Sequence, residues 1–495
     1  MMSKYLKLAL VFHISIFFVR ILYVLFRDID LSPEEAQYWL WSKHLDLSYY
    51  SKPPLIAYMN FISTSIFGDT ELGIRINAVI IGFFLALITF YFTKYLFKDE
   101  KLAFFSSIFI YLIPAYDIAS ILFLTDTPLV LFWGLTTFYF FKAYKEDKPI
   151  YWILTGIFAG LGFLAKYSMV FFFPIALIFL FIFNRNTFKN KWFYISIFIA
   201  FLFTLPVIIW NIQNNFVSFK HVETLAGVNK TTSTLHLNYI GDYILGQIGF
   251  NSVFLFPFFV YALIKGFKER KKAEIFYLWI PAIFVFIVFL LISLKKRVYV
   301  NWPVFAYFSF YILTAFYIYK KKLLKIGTLL FALSGLSIII LFYTPILDKL
   351  HLTKLLPPEK DPTKRIVGWE GLGKKVENEI KSLNTDKYFI FSDSYQVASE
   401  LAFYVKPFKQ TYCINLGRRM NQFDLWKGIN QFKNKNYYGI YVTYGGLPKR
   451  VEDAFKSVVK KTYYSIVYRG KEVYRLHIYI LKDFKYLKQP SIYSF

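Results

Sequence analysis

Residues 72–97 read LGIRINAVIIGFFLALITFYFTKYLF, with Arg75 near one end, Lys94 near the other and no charge between them. Roughly 20 apolar residues in a helix cross about 30 Å of hydrocarbon, and such a helix satisfies its own backbone polar groups. The run therefore reads as a membrane span. Ten further apolar segments of comparable length fall at 5–27, 102–123, 127–144, 150–166, 168–184, 191–211, 248–265, 275–294, 303–319 and 323–343. About eleven spans are expected, so the roughly three soluble domains that a chain of 495 residues would otherwise suggest do not apply. Composition agrees, with 57% hydrophobic, 22% aromatic and 18% charged residues, against about 25% charged in an ordinary soluble domain. A water-soluble enzyme is excluded. The lone cysteine, Cys413, excludes an intrachain disulfide and a Cys-based zinc site.

Charge fixes the sidedness. Lys4 and Lys7 precede the first apolar run, but no small-residue cleavage site follows it, so it reads as a retained span rather than a signal peptide. With the N-terminus cytoplasmic, the inner helix ends hold 20 basic residues and the outer side ten, Lys230 among the latter. An odd number of spans then leaves the tail outside, and the chain is expected in the cell (inner) membrane. The net charge of +27 divides almost evenly between the spans and the tail. With no single basic arm, nucleic acid is not an expected partner, and anionic lipid or a phosphate-bearing substrate fits better. The long loops, 28–71 and 212–247, are both outer ones, so the working face looks outward.

Two regions result: 1–344, the membrane-embedded part, and 345–495, a small α/β tail. In the tail, strands are expected at 387–392 and 437–443, helices at 394–404 and near 450–459, and a closing hairpin at 463–481 around Arg469-Gly470-Lys471. No internal repeats are evident.

The first outer loop carries the densest signal, Leu31-Ser32-Pro33-Glu34-Glu35-Ala36-Gln37-Tyr38-Trp39. Ser32, Pro33 and Glu35 match a capping box with proline at the first helical position. Glu35 is as readily a cap as a catalytic group. The same geometry leaves Glu34 with its carboxylate free at a helix N-terminus, suited to act as a general base. Further on, Leu55, Met59, Ile62 and Ile66 recur at helical spacing opposite Asn60, Ser63 and Thr64, which predicts an interfacial helix. Lys52 stands at its start, where the helix dipole disfavours a cation unless an anion is bound; the plain alternative is a snorkelling surface lysine.

Asp126, in Thr125-Asp126-Thr127-Pro128, reads singly as a helix cap. Gly156, Gly160 and Gly162 fit close helix packing, since no phosphate-loop pattern is present. Lys166 follows in a very short outer turn between two apolar spans, where a lone charge is costly and functional by default. Lys295, Lys296 and Arg297 break the inside-positive trend and suit a phosphate clamp. Tyr38, Tyr50 and Tyr299 are assigned to acceptor or lipid contact. His44, His221 and His236 show no metal-ligand spacing and read as solvated loop residues. Two acidic and three basic sites thus belong to one face of a membrane bundle, the combination that a lipid-borne leaving phosphate and an activated acceptor require.

At this point the runs LSPEEAQYWLWSKHLDLSYYSKPPLIA, FGDTELGIR, TDTPL and GLGFLAK resemble family 39 glycosyltransferases, which include protein O-mannosyltransferases and aminoarabinose transferases acting on lipid A. The resemblance covers most of 10–345 and is most specific in the first loop. In the tail, SDSYQ and GRRMNQFDLW are similar to a bacterial branch. It implies a GT-C fold, a polyprenyl-phosphate sugar donor, an active site facing away from the cytoplasm and inversion at the anomeric carbon. The family's catalytic aspartate corresponds to Glu34, one methylene longer, with Glu35 and Asp126 as candidates to share its role. Asp126 matches the second acidic position, Lys52 the KPPL lysine, and Lys166 a lysine that contacts donor phosphate. A carboxylate used for zinc in some relatives is Ser51 here, so that zinc is not expected.

The reading is an integral membrane glycosyltransferase that moves a sugar from a polyprenyl-phosphate donor to an envelope glycolipid or protein. Lys52, Lys166, Lys296 and Arg297 bind phosphate; Glu34, Asp126 and Glu35 serve the chemistry. No cofactor is predicted, and a divalent ion bridging Glu34 and the phosphate stays open. Arg418, Arg419 and Trp426 suit either acceptor contact or a structural role. The rivals are a lipid-linked sugar flippase, for which neither half-repeats nor broken helices are apparent, and an inactive envelope scaffold.

Overall fold

The computed structural model describes residues 2–27, 29–226 and 236–490. Lys230 and the middle of the 212–247 loop lie outside the described residues. The chain forms two compact units. The first comprises Met1–Tyr23, Lys52–Ile56 and Arg75–Ile339; the second comprises Val24–Ser51, Ala57–Ile74 and Ile340–Phe495. The chain thus leaves the first unit for the last time near the boundary expected at 344/345, while much of the first outer loop folds with the tail.

The first unit is helical, and the protein is a multi-pass membrane protein. Among the described residues, five helices are long and apolar enough to cross a bilayer: Lys4–Phe26, Glu71–Phe97, Lys191–Gln213, Ala273–Ser293 and Leu324–Phe342. A sixth crossing results if Leu237–Asn251 and Phe256–Lys268, bent by 105°, form one span. Pro149–Ala165, Tyr167–Phe183 and Val304–Lys320 are shorter apolar helices. The expected segments are therefore helical, though several are short or interrupted. The bend at Ser252, where φ is 121°, corrects the expectation that no helix is broken. Segment 102–123 is also interrupted. Its helix Glu100–Phe109 gives way to a 3-10 turn, and a new helix begins at Pro114 after Ile113 adopts extended backbone. Proline donates no N–H and bars its predecessor from helical geometry.

Burial in this unit is inverted relative to a soluble protein. On Lys4–Phe26 the exposed residues include Val11, Phe18, Leu22 and Phe26, whereas His13 and Arg20 are buried. Arg20 donates to Asp117, and its guanidinium lies 5.0 Å from the Tyr111 ring. His13 bonds Tyr111 Oη and Ser107 Oγ, each at 3.1 Å. Charges inside a bilayer are tolerated when paired in this way. Gly156 allows helix Pro149–Ala165 to meet Lys191–Leu202, since a Cβ there would lie 2.5 Å from the Ser196 carbonyl oxygen. The close-packing role read from the sequence is the observed one.

The second unit is built on a five-stranded sheet of order β2-β1-β3-β5-β4. Its strands are β1 (Tyr388–Ser392), β2 (Thr411–Cys413), β3 (Tyr438–Thr443), β4 (Phe455–Tyr468) and β5 (Lys471–Phe484). β1 pairs in parallel with β2 and β3, whereas β5 is antiparallel to β3 and β4. The expected helix near 450–459 ends at Asp453, and Phe455–Lys461 is strand instead. Val458 and Val459 favour extended backbone, and ladder bonds to β5 decide it. Arg469 and Gly470 turn the hairpin with φ of 50° and 78°. The Arg469 guanidinium is buried and pairs with Asp348 at 2.6 Å and Asp361 at 2.9 Å.

The helix Pro33–Ser42 belongs to this unit. It is largely buried, with Trp39 edge-on to Phe403 at 4.9 Å. The chain before it is held by Asp30, which accepts from the Trp369 backbone N–H at 2.6 Å, and by Tyr404 Oη, which accepts from the Leu31 N–H at 2.7 Å. Helix Leu55–Phe67 shows the inverted pattern again. Ile62 and Ile66 are exposed and Asn60, Ser63 and Thr64 are buried, as suits a helix lying against lipid.

Candidate functional site

In the first unit, three segments distant in sequence meet at Asp126. The carboxylate opens helix Asp126–Glu146. Lys166 Nζ donates to its Oδ1 at 2.6 Å and Asn301 Nδ2 donates to its Oδ2 at 2.8 Å. The Lys166 and Asp126 side chains are 12% and 10% exposed. The cap reading of this stretch gives way. Thr125 makes no capping bond with its side chain, Thr127 Oγ1 donates to the Ala119 and Leu122 carbonyls, and Asp126 turns to partners 40 and 175 residues away. Lys166 is presented because helix Pro149–Ala165 ends there in extended backbone before a 3-10 turn. Asn301 lies in the Lys295–Pro303 stretch, where an amide beside Trp302-Pro303 carries no distinctive sequence pattern.

Lys296 and Arg297, two other candidate cations of this unit, have separate partners. Lys296 donates to the Thr224 carbonyl, and Arg297 lies 3.7 Å from Asp242 with most of its side chain exposed. Lys52 is half-buried before the prolines that lead into Leu55–Phe67. Tyr299 is 65% exposed, its ring 5.7 Å from Trp302.

In the second unit, Glu34 and Glu35 divide their roles as the capping geometry requires. Glu35 is fully buried and closes the box: its Oε2 accepts from the Ser32 N–H at 2.9 Å, and its own N–H bonds Ser32 Oγ at 3.3 Å. Glu34 points elsewhere and, contrary to the expectation of a free carboxylate, is ion-paired. Its two oxygens accept from Arg365 Nη2 at 2.7 and 3.0 Å. Burial weakens the Arg365 cation, but the Glu34 carboxylate outweighs that effect and holds the guanidinium above its ordinary range. Arg365, 331 residues from Glu34, follows no motif that sequence reasoning could have used. Tyr38 and Tyr50 are buried, the former 5.1 Å from Trp41 and the latter bonding Gln422 through its N–H.

Arg418 is structural. It donates to both Asp424 oxygens and to the Cys413 and Ile414 carbonyls. Trp426 stacks obliquely on His44 at 4.7 Å. His221, expected solvated, is buried. Among the described residues, no group of three His, Cys, Asp or Glu is placed to hold a metal ion.

Residues 51–210 match the family model described as dolichyl-phosphate-mannose-protein mannosyltransferase. This bears out the resemblance drawn from the KPPL, TDTPL and GLGFLAK runs, and Lys52, Asp126 and Lys166 all lie in the matched region. The chain is 28% identical over 308 residues to the lipid A galacturonosyltransferase RgtD of Rhizobium johnstonii, covering 61% of this chain and 63% of that protein. It is 25% identical over 340 residues to the undecaprenyl phosphate-alpha-4-amino-4-deoxy-L-arabinose arabinosyl transferase of Wigglesworthia glossinidia brevipalpis, covering 63% and 58%. The chain thus spans about three fifths of the length of these curated relatives. Two crystal structures of ArnT from Cupriavidus metallidurans share the fold at 12% identity. The apo form has a TM-score of 0.63 over 95% of this chain and 97% of that one, and the form bound to undecaprenyl phosphate has 0.65 over 97% and 98%. The fold is the GT-C fold, as expected.

Proposed function

We propose that this chain is an integral membrane glycosyltransferase. It transfers a sugar from a polyprenyl-phosphate donor to an envelope glycolipid by inverting direct displacement. The N-terminus is cytoplasmic, and the tail and the reaction are extracytoplasmic in the cell membrane. The observation that carries this reading is the Asp126–Lys166–Asn301 cluster: a nearly buried cation, carboxylate and amide where three segments meet, two of them within the family match. Support comes also from relatives named as lipid A and undecaprenyl-phosphate sugar transferases.

In the reaction, the acceptor hydroxyl oxygen attacks the anomeric carbon, the bond from that carbon to the phosphate oxygen breaks, and the phosphate leaves. The acceptor proton passes to a carboxylate, Glu34 in this assignment, with Asp126 assisting. Lys166 and Lys52 offset the growing phosphate charge, with Lys296 and Arg297 as further phosphate-binding cations. Glu35 is occupied with its cap. Exposed Tyr299 contacts acceptor or lipid, whereas Tyr38 and Tyr50, expected in the same role, are too buried to reach either.

Single-turnover transfer from a radiolabelled polyprenyl-phosphate sugar tests the assignment. Glu34→Gln and Asp126→Asn should each lower the rate by roughly a hundredfold or more if proton transfer is lost. Unchanged rates in both remove the site. A protein acceptor is the second reading, favoured by the description of the matched family. Mass spectrometry of envelope glycolipids and glycoproteins, with and without the gene, separates the two.

A further inference from the structure

The second unit holds a cleft of about 340 Å³ beside the Glu34–Arg365 pair, lined by Arg365, Trp369, Ser394, Gln396, Tyr444 and Tyr474, with Pro33 at its edge. Its size lies at the small end of ligand sites, roughly 300–1,000 Å³. It suits a sugar ring rather than a prenyl chain.

The walls are of three kinds. Tyr444 and Tyr474, with ring centres 5.8 Å apart, offer aromatic faces carrying polar tips. Ser394 and Gln396 offer hydroxyl and amide groups; Ser394 Oγ donates to Gln396 Oε1 at 2.8 Å, which orients the amide and leaves its NH₂ as donor. Arg365 supplies the charge. Its Nη2 is engaged by Glu34, whereas Nε and Nη1 make no hydrogen bond among the described residues, and half of its side chain is exposed. The backbone holding it is firm: the Arg365 carbonyl accepts from Trp369 Nε1 at 2.9 Å, and Trp369 is anchored by Asp30. Among the described residues, no carboxylate lines the cleft itself.

We infer that this cleft is a binding subsite for an anionic saccharide, a sugar ring bearing phosphate or carboxylate, held through the open edge of Arg365 and the Tyr444–Tyr474 rings. Built on the glycosyltransferase reading, the inference places recognition of a charged sugar directly against the carboxylate assigned as base. The anion comes either from the acceptor headgroup or from the transferred sugar.

The test is isothermal titration calorimetry on the full chain in nanodiscs, with glucose 1-phosphate, glucuronate, glucose and inorganic phosphate as probes. At least one of the two anionic sugars should bind roughly tenfold or more tighter than glucose and than phosphate, and Arg365→Gln should remove that advantage. Tyr474→Ala should weaken the anionic sugars and leave inorganic phosphate unaffected. Should Arg365→Gln fail to fold, shown by loss of its thermal transition, Gln396→Ala and Tyr474→Ala decide the matter. Equal binding of glucose overturns the anionic class, equal binding of phosphate overturns the saccharide, and wild-type binding in every variant overturns the location. Competition by the polyprenyl-phosphate sugar assigns the subsite to the donor; binding of a phosphosaccharide-headed lipid with saturating donor present assigns it to the acceptor. Donor turnover is measured on the same preparation. Turnover without anionic-sugar binding refutes the subsite alone, and binding without turnover refutes the glycosyltransferase reading alone.

Discussion

Lys166→Met, Asp126→Asn and their combination test whether the central cluster is the energetic joint its geometry indicates. At 2.6 Å and an effective dielectric of about 20, two unit charges attract by about 6 kcal/mol. Much of this offsets the desolvation of two side chains that are only 12% and 10% exposed. The net coupling should be about 2–3 kcal/mol. Lys166→Met alone leaves a nearly buried carboxylate with Asn301 as its remaining hydrogen-bonding side chain among the described residues, a loss of about 3–5 kcal/mol. The double variant carries no charge there and should lose markedly less than the sum of the singles. Asn301→Ala, which removes one donor to a charged acceptor, should cost about 1.5–3 kcal/mol. The assay is reversible unfolding in mixed micelles titrated with a denaturing detergent, followed by tryptophan fluorescence. A coupling below about 0.5 kcal/mol, the scatter expected of independent sites, would refute the reasoning.

The remaining predictions concern the second unit. Arg469→Met strands the fully buried Asp361 carboxylate, and calorimetry should show a loss of about 3–5 kcal/mol in that unit. Glu379 is buried, which pushes its carboxyl upward, but hydrogen bonds from Lys460 and Lys375 outweigh this and hold it below the ordinary 4.5. The native state therefore binds fewer protons there than the unfolded chain does. The stabilisation is present above the unfolded value and is lost as pH falls through the folded one. Melting temperatures of wild type and Glu379→Gln should differ at about pH 6 and converge as pH falls below the ordinary 4.5 and through the lower folded value; a constant gap would contradict this. Burial pushes the Cys413 thiol up to about 11, so N-ethylmaleimide at pH 8 should label the native chain at least about a hundredfold more slowly than the unfolded one. Equal rates would show that the site is open.

Sequence and tertiary structure contributed different things, and the division follows the range of the interactions. Residues 72–97 declare a helix because apolar length and internal hydrogen bonding are properties of one segment, and Glu71–Phe97 forms as read. The capping box at Ser32–Glu35 spans four residues and is realised in full. From such local signals came the membrane class and the β1, β3 and hairpin strands; the GT-C expectation came from the family resemblance. Pro114 and the bend at Ser252 show the limit: hydropathy marks apolar chain but not where its helix breaks. The strand at Phe455–Lys461 overrode a helical reading because its ladder partner lies in β5.

The charged groups were decided by the fold alone. Glu34 could be recognised as lying outside the cap, but its pairing with Arg365 depends on chain more than three hundred residues away. Asp126 read as a cap until folding brought Lys166 and Asn301 to it. Arg20 and Asp117 carry no local pairing signal within their apolar runs, yet they pair where each would be prohibitively costly alone. Backbone geometry and apolar burial are encoded residue by residue, whereas the energy of a desolvated charge depends on its partner. Only three-dimensional packing chooses that partner.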